Sequence, residues 1–200
     1  MKKHIKLLPV LTVVIILALV MAFLLLVYPY IVQNGIRDSY DEAIAILNKR
    51  YPSDIILYGE EIDFRSELNY RTIETISKES LTSDEKYEYT FLVINDRQGT
   101  IKLTDEKIKE LKILVDEMDI SFYYIGQQYL SNLKEAGFYS NVYNDDYYGI
   151  GYVESPTEKG RASVHGLWTS VEEEHYKNNF ELLGQVLVYS FVDDVIEKLN

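Results

Sequence analysis

The sequence contains no cysteine. That absence excludes disulfides, thiolate metal ligands, a cysteine nucleophile and a lipid-bearing cysteine, so the chain must hold itself together through its core. Histidine occurs three times without H-x-x-x-H spacing, which leaves zinc chemistry little to build on. No G-x-S-x-G nucleophile elbow occurs, and no acidic stretch has the alternation of a calcium loop. Gly149 and Gly151 sit inside strand-like alternation and lack the third glycine and following helix of a dinucleotide loop. Basic residues are outnumbered, 20 against 32 acidic, for a net charge of −12. This balance repels nucleic acid and anionic lipid, so no nucleic-acid partner is expected.

Charge of either sign is also missing from residues 7–36, and from Leu7 to Val32 the chain is almost wholly apolar. A bilayer core takes about 20 apolar residues in helical form, and this run exceeds that. Lys2, Lys3 and Lys6 precede it and all the acidic residues follow it. The sequence therefore predicts a cytoplasmic tail over 1–6, a transmembrane signal anchor over 7–32, and one extracytoplasmic domain over 36–200. The VYPYIVQNG end of the run offers no small-x-small cleavage site, which favours an uncleaved anchor. The expected address is the cell membrane, single-pass, with the bilayer itself as a partner.

After the anchor, helix and strand patterns mix. Ile36–Tyr51 has helical spacing and stops at Pro52. Residues 54–64 form a β-type run, and Glu67–Lys78 reads as a modest amphipathic helix. KYEYTFLVI at 86–94 is the clearest strand. NDRQGT, next, permits a hairpin turn returning through Thr100–Leu103 or a loop into a helix; the alternation of Ile101 and Leu103 favours the hairpin. Thr104 can cap a helix whose buried stripe is Ile108, Leu111, Val115 and Met118. Residues 120–126 form a short strand, Gln127–Ala136 a helix, 138–153 two strands around Asn144–Asp146, and 163–168 a further strand. Tyr176–Leu199 is a long helix with a broad apolar stripe including Leu183, Leu187, Phe191 and Val195. The expected class is α+β, an N-terminal transmembrane helix followed by one domain with a mixed sheet and packed helices. The alternative is an α/β three-layer sandwich.

Few residues suggest chemistry. Asn95, Asp96 and Arg97 follow the apolar strand directly, the usual ligand position of open α/β sheets. Were Asp96 brought to Asp145 and Asp146, the three carboxylates would suit Mg²⁺ or Ca²⁺. Asp96, Asp145 and His165 form the corresponding catalytic alternative. The bland reading, in which NDRQG and NDD are ordinary turns, is favoured. No cofactor is expected.

Tyrosine is abundant, with 18 residues against one tryptophan. Tyr123, Tyr124, Tyr129, Tyr139, Tyr143, Tyr147, Tyr148 and Tyr152 concentrate in one tract, and such residues build contact surfaces for partners. The leading functional expectation is thus a non-enzymatic, membrane-anchored extracytoplasmic domain that binds an envelope or membrane protein. The alternatives are a membrane-tethered metal-dependent hydrolase and an extracytoplasmic small-ligand sensor; no particular ligand is indicated.

Overall fold

The computed structural model describes residues 39–138, 149–154, 162–166 and 180–199. The chain falls into two units, residues 1–42 and 43–200. Of the first, residues 39–42 are described and are helical.

The second unit begins with helical residues 43–45, which widen into a π-helical turn, Ile46–Arg50. Strands β1 (Ser53–Gly59), β2 (Tyr70–Ile73), β3 (Tyr89–Asn95) and β4 (Ser121–Ile125) follow, interleaved with helices α1 (Lys78–Leu81), α2 (Asp105–Glu117) and α3 (Leu130–Glu135). β5 (Gly149–Glu154), β6 (Ala162–Gly166) and helix α4 (Phe180–Leu199) complete the unit. The six strands form one sheet in the order β2-β1-β3-β4-β5-β6. The first four are parallel, and β5 and β6 join antiparallel at the β4 edge.

The central strands read as near-continuous apolar runs because helices cover both of their faces. Every residue of β4 is buried, as are Phe91–Asn95 of β3. Side chains alternate across the sheet. Ile56, Leu92, Ile94, Phe122 and Tyr124 pack with Ile108, Leu111 and Val115 of α2 and Leu130 and Leu133 of α3. On the other face, the Phe191 ring of α4 lies 4.7 Å from Phe91 and 5.1 Å from Tyr123, centroid to centroid. α2 starts where its sequence says it should: Thr104 accepts the Lys107 N–H, and Asp105 and Glu106 occupy the first turn.

The edge of the parallel core is fastened by one polar cluster. Arg71 of β2 donates through Nε and Nη2 to the buried Asp54 of β1, and its Nη1 donates to Ser80 O. Ser83 Oγ donates to the same Asp54 carboxylate at 2.6 Å. A bidentate guanidinium suits a buried carboxylate that water cannot reach.

Several expectations are corrected. The anchor at 7–32 lies outside the described residues, and among those described no helix is long and apolar enough to cross a membrane. α4 has the length, but Asp193, Asp194, Glu197 and Lys198 charge its end. The anchored fold class, the single-pass membrane address and the bilayer and envelope-protein partners lose their footing and are not carried forward. What stands is an α+β domain with a four-stranded parallel core and packed helices. The hairpin at NDRQGT is replaced by a loop into α2, and 67–78 gives strand β2 and the short α1 instead of one helix.

Phe191 touches rings from both β3 and β4 and is fully buried. Phe191→Ala is expected to destabilise the domain by about 3–5 kcal/mol, read from equilibrium urea unfolding; a shift under ~1 kcal/mol would contradict this packing.

Candidate functional site

The β1→β2 connection passes to the α4 face, where Asp63 and Phe64 approach Gly184. The β3→α2 connection passes to the opposite face, carrying Ile101 into the α2 cluster. The ends of β1 and β3 are neighbours, with Gly59 paired to Asn95. The loops therefore diverge here, the position at which open parallel sheets hold ligands.

Polar groups knit the two strand ends together. Glu60 N donates to Asn95 O at 2.9 Å, and Asn95 Nδ2 donates to Glu60 O and Glu61 O at 3.1 and 3.3 Å. Glu60 Oε1 accepts Gln98 N–H at 2.7 Å, while Oε2 lies 3.9 Å from Arg97 Nε. Gly59 has φ +100°, and a Cβ there would stand 2.5 Å from Asn95 O, so the crossing admits only glycine. Among the described residues, Asn95 Oδ1 and Glu60 Oε2 are buried and accept no hydrogen bond. A buried acceptor left so costs about 1–3 kcal/mol.

Asp96, one residue on, is 1% exposed. Its Oδ1 accepts Ile101 N–H at 2.8 Å and its Oδ2 accepts the Tyr124 hydroxyl at 3.0 Å. The Tyr124 oxygen in turn accepts Tyr129 N–H. Tyr129 Oη donates to Ile101 O and accepts Leu103 N–H, at 3.0 and 3.1 Å. Two tyrosine hydroxyls thus pin the 96–103 loop and divert it from a return strand.

A cleft of about 160 Å³ opens beside this loop, lined by Tyr58, Thr75, Ile76, Lys102, Leu103, Lys107, Glu110, Leu111 and Leu114. Tyr58 is the penultimate residue of β1, Thr75 lies just past β2, and Lys107 is in the first turn of α2. The cleft therefore sits at the carboxyl ends of the parallel strands. Among the described residues, neither Lys102 nor Lys107 makes an ion pair. A larger hollow of about 710 Å³ lies at residues 61–66 and Tyr70, but a single loop supplies nearly all of its lining.

The residues singled out from sequence are dispersed. Asp96 is in the knot just described, with both carboxylate oxygens engaged. Asp145 and Asp146 lie outside the described residues, as do Tyr139, Tyr143, Tyr147 and Tyr148. His165 and Tyr152 have described backbones only: His165 pairs with Gly151 across β5–β6, and Tyr152 pairs with Phe122. Among the described residues no group of three or more His, Asp or Glu could hold a metal ion. Tyr123 and Tyr124 are wholly buried, on opposite faces of β4, and Tyr129 is half-buried in its hydrogen bonds. None of the three offers the open contact surface that a protein-binding role would need. Glu60, Thr75, Lys102 and Lys107 were not singled out from sequence. Glu60 is the first residue past β1, and recognising where that strand ends would have flagged it.

No family model, curated protein or solved structure matches the chain.

Tyr123 donates its hydroxyl to the buried Asp194 of α4. Burial first, then the Asp194 carboxylate, pushes the Tyr123 phenol well above its ordinary value; burial and Asp96 do the same to Tyr124. Each holds its proton in the folded state after the unfolded chain has released it. Their contribution to stability is therefore complete below about pH 10, the unfolded value, and is lost as pH climbs towards the folded ones. Stability should fall steeply above about pH 10. Tyrosinate absorbance during an alkaline titration should show a late fraction that appears only with unfolding. Ionisation of all tyrosines before any loss of circular dichroism would contradict it.

Proposed function

We propose that this domain binds a small anionic molecule with an apolar body in the cleft between residues 75–76, the 102–103 segment and α2. The observation that carries the reading is the pair of lysines, Lys102 and Lys107, that make no ion pair among the described residues, beside a cleft at the carboxyl ends of parallel strands. In a chain of net charge −12, two lysines against the single carboxylate of Glu110, beside an apolar floor of Ile76, Leu103, Leu111 and Leu114, favour an anion whose body is hydrophobic. Thr75 and Tyr58 add hydroxyls suited to fixing its orientation.

Size narrows the ligand. At about 160 Å³ the cleft is smaller than the ~300 Å³ at which drug-sized pockets begin, so it suits a compact molecule of few heavy atoms. No nucleophile with an adjacent base lines it, and the reading is one of recognition, not turnover.

Benzoate and phenyl phosphate are suitable probes. At least one should raise the melting temperature of the full chain saturably, since a ligand that binds only the folded state stabilises it by mass action. Lys102→Ala combined with Lys107→Ala should weaken that binding about tenfold, equivalent to ~1.4 kcal/mol. The absence of a saturable response to both probes, or a response unchanged in the double variant, would overturn the proposal.

A further inference from the structure

We propose that the crevice between the ends of β1 and β3 is a second binding site, a carboxylate seat that the chain's own Glu60 fills. A small acid carrying a hydroxyl or amino donor beside its carboxylate, such as a 2-hydroxy or 2-amino acid, takes the place of the Glu60 side chain. This site is separate from the lysine cleft and does not rest on it.

Glu60 is held as a bound anion would be. One oxygen takes a backbone amide hydrogen bond from Gln98 at 2.7 Å, and the other faces the guanidinium of Arg97 at 3.9 Å. The Arg97 side chain is 6% exposed, so its charge sits largely out of water. A backbone N–H and a guanidinium are the donors that recognise carboxylates most strongly. Their position matters equally: the loops after β1 and β3 leave to opposite faces here, the place at which open parallel sheets hold ligands.

The fit of Glu60 is incomplete. Its Oε2 is buried without a hydrogen bond, and so is Asn95 Oδ1. Asn95 cannot turn its amide round to relieve this, because Nδ2 already donates to Glu60 O and Glu61 O. A fixed acceptor without a donor thus stands on the amide that holds the Glu60 and Glu61 carbonyls, next to the segment that carries Glu60. A free carboxylate of its own orientation, with a neighbouring O–H or N–H, satisfies the Gln98 amide, Arg97 and Asn95 Oδ1 together. Glu60 reaches the seat from the first residue of the 60–69 loop and is partly exposed, so its side chain has solvent to move into.

The test is chemical rescue of Glu60→Ala in the full chain, with sodium acetate, sodium glycolate and glycine at matched ionic strength. Glu60→Ala should melt below the wild type, and glycolate should restore the loss saturably. Half-saturation should come at about tenfold lower concentration than for acetate, which lacks the donor, and at least tenfold lower than in the wild type, where Glu60 competes. Lys102→Ala with Lys107→Ala should leave the glycolate response intact; its disappearance would place the probe in the lysine cleft and overturn the seat. A destabilised Glu60→Ala that no probe rescues would show Glu60 to be a structural latch only, and would likewise overturn the proposal. Equal rescue by acetate and glycolate would overturn the role of Asn95. If Glu60→Ala does not fold, the same comparison is read on Glu60→Gln from the Gln98 amide chemical shift. A Gln98 amide unmoved by glycolate in that variant would also overturn the seat.

Discussion

A carboxylate with almost no access to water dictates the carboxyl edge of this sheet. Asp96 must have its oxygens satisfied from within, because a buried charge without partners is untenable. Ile101 N–H and the Tyr124 hydroxyl meet that demand. Meeting it folds the 97–101 segment back on itself, places Ile101 in the core and delivers the chain to the Thr104 cap at the correct angle. Gly126, at φ +147°, completes the arrangement, since a Cβ there would stand 2.7 Å from Asp96 O. The lysine cleft and the Glu60 side chain both lie beside this knot.

The two faces of the sheet are built differently. The α2–α3 face is mostly aliphatic, with the Phe122–Phe138 ring contact within it and the Asp96–Tyr124 hydrogen bond at its carboxyl edge. The α4 face depends on a few large rings and one buried acid, Asp194, bonded to Tyr123. Aliphatic layers adjust to small changes of volume by shared shifts, whereas a buried hydrogen-bonded pair fixes the rotation of its helix about its own axis. α4 is thereby registered against β4 by the Tyr123–Asp194 hydrogen bond as well as by shape.

Local patterns were readable in the sequence wherever the cause was local. The Thr104 cap, the stripe of α2 and the apolar run of β3 all follow from residues within a few positions of one another. β2 did not, because what makes Tyr70–Ile73 a strand is pairing with β1 and the reach of Arg71 to Asp54, 17 residues away. The alternation of Ile101 and Leu103 imitated a return strand; its origin is the anchoring of the loop by Tyr124 and Tyr129. Asn95, Asp96 and Arg97 stood out as strand-end residues, yet their partner Glu60 lies 35 residues before Asn95 and no spacing rule reaches it. Counting tyrosines pointed to a contact surface, whereas the period of a strand already required Tyr123 and Tyr124 to face opposite sides of the sheet.

The position of α4 at the end of the chain has a consequence for synthesis. The four parallel strands, with Phe91 and Tyr123 on one face, are complete in sequence at Ile125, but the helix whose Phe191 packs on that face begins only at Phe180. At a translation rate of about 5–20 residues per second, the ribosome takes roughly 3–11 s to cross that gap. During this interval the emerging strands have one face closed by α2 and α3 and the other without its closing helix. α4 is the element whose arrival closes that face.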